Sequence, residues 1–156
     1  MPHPGHGPED GQSLNALALA ATLHCLSGCA LGEVLGMVLG TALGWSNGAT
    51  VAASILLAFA LGYGLTSLPL VRSGLPLRTV AGLAFASDTL SIGTMEAVDT
   101  LIVLAVPGAL DAGLSDLLFW GSLAAALLVA GGAAYPVNRR LISRGKGHAV
   151  IHAHHH

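Results

Sequence analysis

Residues 14–44 read LNALALAATLHCLSGCALGEVLGMVLGTALG, and Glu33 is the single formally charged side chain among them. A lipid bilayer is crossed by a helix of about 20 predominantly apolar residues. This stretch therefore predicts a first membrane helix from about Leu14 to Gly44. Because it is longer than a bilayer requires, we expect the helix to tilt or to project from the hydrocarbon.

The chain on either side of this stretch extends the same pattern. Trp45, Ser46, Asn47 and Gly48 are typical of a tight turn, and Pro107 and Pro136 are expected to end later apolar runs. The further predicted helices are Ala49–Val71, Thr79–Val106 and Ser115–Tyr135. We therefore expect an all-α polytopic membrane protein whose four transmembrane helices occupy residues 14–135. Residues 1–13 form a polar tail rich in His, Pro and Gly, and residues 136–156 form a basic, histidine-rich tail.

The composition excludes several other classes of protein. Charged residues make up 9% of the chain, against about 25% in ordinary soluble domains. The net charge of -2 and the lack of a long basic tract argue against nucleic-acid binding. Two cysteines cannot build a disulfide framework. Because no Ser-His-Asp order or phosphate-binding loop is present, we do not expect an enzyme.

The basic residues predict the orientation. All six lie either at Arg72 and Arg78 or after Pro136, and cytoplasmic segments of membrane proteins are enriched in Lys and Arg. In a four-span protein these two segments and the N-terminus share one side. We expect a bacterial inner (plasma) membrane protein with both termini in the cytoplasm.

From Gly28 onward, the first predicted helix carries glycine at every fourth position. Such a stripe lets another helix backbone approach closely within a bilayer. We expect it to serve helix packing and, because it is so long, to hold a homo-oligomer together. Its members are Gly28, Gly32, Gly36, Gly40 and Gly44.

A second row of side chains lies one position further along the helix, and we call such a row a file. It combines thiol, carboxylate and thioether groups: Cys25, Cys29, Glu33 and Met37. Residues four apart lie on one face of a helix, each step turning by about 40°. Thiolate and thioether ligands suit Cu(I), and thiolates with carboxylate or imidazole suit Zn(II). His24 lies above the glycine stripe, where it either bonds a partner helix or serves as a metal ligand or proton carrier.

The third predicted helix supplies complementary groups. Asp88, Ser91, Met95, Glu96 and Asp99 fall within an arc of about 140° on a helical wheel. No Lys or Arg occurs between Arg78 and Arg139, so these acids need protons, a cation or His24. Because the first and third helices run parallel, we expect their polar files to face each other.

Two functions follow from these files. The first is the binding or transport of a transition metal ion, Cu(I) or Zn(II), with a cytoplasmic metal donor or acceptor as partner. Its expected ligands are His24, Cys25, Cys29, Glu33, Met37, Asp88, Met95 and Glu96. The alternative is a proton-coupled carrier or cation channel in which the cysteines only pack. Its expected pathway is Glu33, Asp88, Ser91, Glu96 and Asp99.

Histidines are concentrated in the two tails, at positions 3, 6, 148, 152, 154, 155 and 156. Such tracts can capture a transition metal. On the predicted topology all of them face the cytoplasm.

Several motifs occur in one order along the chain: HCLSGC at 24–29, GE at 32–33, DTLS at 88–91, ME at 95–96, PGA at 107–109, PVNR at 136–139 and RGKGH at 144–148. This series resembles a family of small bacterial membrane proteins catalogued as a domain of unknown function. The resemblance implies a natural four-helix protein in which His148 is native. It implies no particular activity.

Overall fold

The computed structural model describes residues 9–144, with side chains from Leu14 onward, so the tail histidines lie outside the described residues. Within this range the chain forms helices and no strand, which confirms the predicted all-α class. The helices are α1 (Glu9–Leu43), α2 (Asn47–Arg72), α3 (Leu77–Ala105) and α4 (Leu117–Ser143), with a short 3-10 helix at Ala109–Asp111 between α3 and α4. Helix α1 begins five residues before the predicted Leu14.

The four helices alternate in direction. Along the contact between α1 and α2, Gly28 meets Gly62 whereas Gly36 meets Ser54, so the two helices are antiparallel. Helix α4 is also antiparallel to α1, since Leu26 of α1 packs on Gly131 of α4 whereas Thr22 meets Asn138. The bundle is therefore an up-down-up-down arrangement in which α1 and α3 run parallel.

The alternation gives the bundle two distinct ends. The first, which we call the loop end, contains the links at 44–46 and 106–116. The second, which we call the arginine end, contains the ends of α2 and α4 and the start of α3. Its described arginines are Arg72, Arg78, Arg139, Arg140 and Arg144.

A tight glycine turn ends α1. Gly44 has a φ of 67°, the N–H of Trp45 donates to the carbonyl of Gly40 at 2.9 Å, and that of Gly44 donates to Thr41. These paired bonds form a Schellman cap, which requires a residue in the left-handed conformation. Nothing lies within 4 Å of where a Cβ of Gly44 would be. Gly44 therefore ends the helix and does not belong to the packing stripe, contrary to its predicted role.

The prediction that Pro136 ends the fourth helix is wrong, because α4 continues through Pro136 to Ser143. The residues beyond the proline are held by α1. The Asn138 side chain donates to Thr22 Oγ1 at 3.0 Å, and Ile142 packs on Ala18 and Ala21. These contacts maintain the helix where the proline removes one backbone hydrogen bond.

Among residues 9–144, three helices are long and apolar enough to cross a membrane: Leu14–Leu43, Asn47–Arg72 and Leu117–Ser143. Helix α3, in which Arg78 and three acids interrupt the apolar sequence, is not one of them. Large apolar side chains such as Leu56, Leu101 and Leu128 are exposed on the outer surface of the bundle. Such a surface suits a lipid environment.

Candidate functional site

The glycine stripe places α1 directly against α2. A Cβ on Gly32 would lie 2.6 Å from the Ala58 Cα, and one on Gly36 would lie 2.7 Å from the Ser54 Cα. Only glycine allows this approach. A single neighbouring helix thus accounts for Gly28, Gly32, Gly36 and Gly40, and the stripe gives no reason of its own to expect an oligomer.

An adjacent face of α1, about 100° around the helix from the glycines, brings sulfur atoms against α3. Cys29 Sγ lies 3.9 Å from Met95 Sδ, and Cys25, one turn away along α1, belongs to the same buried cluster. All three side chains are at most 2% exposed, and both cysteines are free thiols. We call Cys25, Cys29 and Met95 the sulfur group.

Three carboxyl groups meet one turn closer to the loop end. The carboxyl groups of Glu33 of α1 and Asp99 of α3 lie within reach of each other, and Glu96 lies beside both Asp99 and the Cys29 thiol. We call Glu33, Glu96 and Asp99 the acid group. Within the described part of the chain, neither carboxyl oxygen of Glu96 nor Oδ1 of Asp99 has a hydrogen-bond partner, although both residues are at least 95% buried. Buried carboxyl groups without partners are costly, which makes the acid group a candidate functional site.

A hydrogen-bonded chain lies on the arginine-end side of the sulfur group. His24 Nε2 is 2.8 Å from Thr66 Oγ1, and Thr66 in turn interacts with Asp88. Ser87 Oγ donates to Asp88 Oδ1 at 3.0 Å, and Ser91 lies beside the Cys25 thiol. His24 thus continues the glycine stripe and contacts α2.

The structure separates some of the predicted ligands. Met37 packs near Phe119 and Leu123 of α4, two turns beyond Cys29. Each step of four residues turns by about 40°, so the file rotates away from α3 by the time it reaches Met37. Among the described residues, no three or more His, Cys, Asp and Glu side chains are grouped to hold a metal ion. His24 and Asp88 therefore do not complete such a set with the cysteines.

A cavity of about 200 Å³ reaches the acid group from the loop end. Glu33 and Asp99 are the lining residues of α1 and α3 that lie deepest from that end, and Trp45, Asn47 and Asp111 line its mouth. Glu33 is ten residues from the end of α1 at Leu43, which corresponds to a depth of about 15 Å.

Two polar contacts between helices were not predicted from the sequence. Thr66 lies in a helix that otherwise offers mostly Ala, Leu and Gly, yet it links His24 to Asp88. Asn138, which follows a proline expected to end the helix, is 1% exposed and bonded to Thr22. For both residues the available signal was a polar side chain in an apolar segment, because such groups seek a partner helix in a bilayer.

A family model for a domain of unknown function, DUF4396, matches residues 15–147. The chain belongs to this family. The matched residues of this DUF4396 protein include the sulfur group, the acid group and the lining of the cavity. The match confirms the expected resemblance to a family of unknown function. No curated protein and no solved structure matches the chain.

Proposed function

We propose that this DUF4396 protein is an integral membrane protein that binds Cu(I) at the sulfur group and transports it. The separation of 3.9 Å between Cys29 Sγ and Met95 Sδ carries this proposal. With metal–sulfur bonds of about 2.3 Å, one ion bound to both atoms would subtend an angle of about 116°. This angle is close to the 120° of a trigonal ion, and Cys25, in the same buried cluster, would supply the third sulfur atom.

The donor types favour Cu(I) over Zn(II). Thiolates with a thioether are soft ligands that select Cu(I), whereas zinc sites draw on Cys, His and carboxylate groups. Among residues 14–144 no group of three or more of those zinc ligands is arranged for a metal. Glu96, unpartnered and beside Cys29, would contribute charge balance or a proton acceptor when an ion binds.

The proposal includes α3 as a fourth membrane span. Helix α2 finishes at the arginine end and α4 starts at the loop end, so the 29 residues of α3, about 43 Å in length, join the two ends. Its acids face the other helices, while Phe85, Leu90 and Leu101 are exposed. Burial of charged groups inside a bundle is how membrane helices tolerate them.

We propose the bacterial inner membrane as the location, with the arginine end and both termini in the cytoplasm. A cytoplasmic metal donor or acceptor would then meet the protein at that end. Reporter fusions at the C-terminus and within the 44–46 link test the orientation. An external C-terminus would overturn it.

The metal test compares two methionines inside the bundle, Met95 in the sulfur group and Met37 on the cavity wall. Protein purified without oxygen is titrated with Cu(I) against a competing chelator, and separately with Zn(II). Met95→Leu and the double variant Cys25→Ser, Cys29→Ser are expected to lose Cu(I) affinity by more than about 100-fold, the upper end of what loss of an outer-shell partner costs. Met37→Leu is the matched control, because Met37 packs two turns away, near Phe119 and Leu123.

The same tail histidines are present in every variant, so any binding by them cancels in the comparison. Unchanged Cu(I) binding in the double serine variant would overturn the metal proposal. Equal losses in Met95→Leu and Met37→Leu would also overturn it. Tighter binding of Zn(II) than of Cu(I) at the same cysteines would replace copper by zinc as the cargo.

The neighbouring carboxyl groups of Glu33 and Asp99 at the base of the cavity favour a second candidate, a proton-coupled carrier or cation channel. In this function the acids carry the proton or cation and the cysteines only pack. Its test is ion flux into vesicles containing the protein. If Glu33→Gln abolishes flux while the double serine variant retains both flux and metal content, the second candidate replaces the first.

A further inference from the structure

The cavity between the loop end and the acid group has a lining that is unusual for the interior of an apolar bundle. Hydroxyl groups of Thr50, Ser54 and Ser122 contribute to its walls, and its volume of about 200 Å³ leaves room for several water molecules. A cavity of this size with several polar partners is expected to hold water.

The ionisable side chains that line the cavity are all acidic. Glu33 and Asp99 lie at its base and Asp111 at its mouth, and no Lys, Arg or His is among its lining residues. Clefts lined by one sign of charge within low-dielectric walls concentrate ions of the opposite sign.

A buried oxygen at the base points to a ligand. Asp99 is 4% exposed and lines the cavity, and its Oδ1 has no hydrogen-bond partner among residues 14–144. An oxygen that is unsatisfied by protein groups next to a polar cavity is a position for water or a cation.

We infer that this cavity is a water-filled vestibule that admits hydrated inorganic cations from the loop end and leads them to Glu33 and Asp99. The inference deepens the proposed function and rests on its placement of the bundle in a membrane. It does not depend on the sulfur group. The acid group lies between this vestibule and the sulfur group, so the vestibule serves either candidate cargo.

The mouth of the vestibule is bounded by a polar contact between the two links. Asn47 Nδ2 donates to Asp111 Oδ1 at 2.7 Å and thereby joins the start of α2 to the 3-10 helix. Although it accepts this hydrogen bond from Asn47, the Asp111 side chain is exposed at the opening. The negative charge at the mouth therefore faces arriving ions.

Thiol labelling tests the vestibule in protein that lacks the native thiols through Cys25→Ser and Cys29→Ser. A single cysteine is introduced by Thr50→Cys on the α2 wall of the cavity or by Ser122→Cys on the α4 wall. Each variant reacts with a cationic and an anionic methanethiosulfonate reagent of similar size. We expect the cationic reagent to react at least about tenfold faster, after correction for the rates with a free thiol.

Two controls accompany these variants. Thr94→Cys lies on α3 in a separate groove whose lining includes Phe85 and Leu90 and contains no charged residue, so neither reagent is expected to reach it when the protein is in lipid. Ser73→Cys lies at the arginine end next to Arg72 and is expected to show no preference for the cationic reagent. Adding Asp111→Asn to Thr50→Cys should reduce the cationic preference.

Equal corrected rates for the two reagents at Thr50→Cys and Ser122→Cys would overturn the inference, as would a faster anionic reaction. No labelling at either position, in protein that elutes as a single species and reacts fully once denatured, would show a sealed cavity and also overturn it. If serine replacement of the native thiols prevents folding, the same variants are labelled with Cys25 and Cys29 in place, since both are buried. Metal binding is measured separately, so its failure is distinguishable from failure of the vestibule.

Discussion

Helix α1 contacts α2 and α3 in two different ways. Towards α2 it presents Gly28, Gly32, Gly36 and Gly40, whose Cα atoms leave no room for a side chain. Towards α3 it presents Cys25, Cys29 and Glu33, which meet Ser91, Met95 and Asp99. The first interface is close and made of small residues, whereas the second is formed by larger side chains and contains unsatisfied polar groups.

The difference indicates how a small bundle supports buried polar groups. Close packing of small residues contributes favourable van der Waals contacts in lipid. Unpartnered buried carboxyl groups cost free energy. The α1–α2 interface therefore stabilises a bundle that the α1–α3 interface weakens, and substitutions on the two faces should have opposite effects on stability.

The largest expected effect is a loss of stability when a glycine of the α1–α2 interface is replaced. Gly36→Leu would place a side chain against the Ser54 backbone, and we expect destabilisation by more than about 3 kcal/mol, beyond the usual cost of overpacking. Gly64→Leu is the matched control, because nothing lies within 4 Å of a Cβ at that position of α2. Thermal unfolding and size-exclusion chromatography in mild detergent measure both. Similar stability of the two variants would contradict the packing role.

For a substitution at the α1–α3 interface we expect the opposite effect, a gain in stability. Glu96→Met removes two buried carboxyl oxygens that lack partners within the described chain, and it should stabilise the protein by about 1–2 kcal/mol, as replacement of buried ionic groups often does. On the proposed function, the same variant should also impair ion binding, since stability and function often conflict at such a site. A loss of stability in Glu96→Met would show that the carboxyl group is satisfied in the folded protein.

A smaller effect is expected where α4 meets α1 beyond the proline. Asn138→Ala removes the bond to Thr22 Oγ1, and interhelical hydrogen bonds in membrane proteins contribute about 0.6–1.7 kcal/mol. Arg139→Ala, which removes an exposed bond to Asn15, is the neighbouring control and should cost less. Hydrogen exchange of residues 137–143 should rise in Asn138→Ala alone, and equal exchange in both variants would count against the buried contact.

The smallest effect is expected at Thr94, whose hydroxyl donates to the carbonyl of Leu90 in its own helix at 2.7 Å. A hydroxyl that bonds its own helix adds little to stability. Thr94→Val should therefore change the unfolding free energy by less than about 0.5 kcal/mol. A larger change would reveal a contact of Thr94 beyond α3.

Most of the helices could be predicted from the sequence, because long apolar runs are bounded by Gly, Pro, Ser and Asn. Apart from the start of α1 and the end of α4, the predicted helix ends agree with the structure within two residues. The continuation of α4 could not be predicted. It depends on contacts of Asn138 and Ile142 with α1, more than a hundred residues earlier in the chain.

The candidate site was predictable in part. The parallel direction of the first and third helices follows from counting spans, and the structure brings Cys29 to Met95 and Glu33 to Asp99. The exclusion of Met37 was not predicted, because the amount by which a file turns away depends on the angle at which two helices cross. The contact of Thr66 with His24 could not be predicted either, because it depends on the register between α1 and α2.

The four-residue period of the α1–α2 interface has a consequence for register. Sliding α1 by one turn, about 6 Å, would set Gly32 against Gly62 and Gly36 against Ala58, so small residues would again meet at each level. The stripe therefore brings the helices together without choosing among such alignments. As single polar residues do in coiled coils, groups that do not repeat must make that choice. Here these groups are His24 with Thr66 and the short link after Gly44.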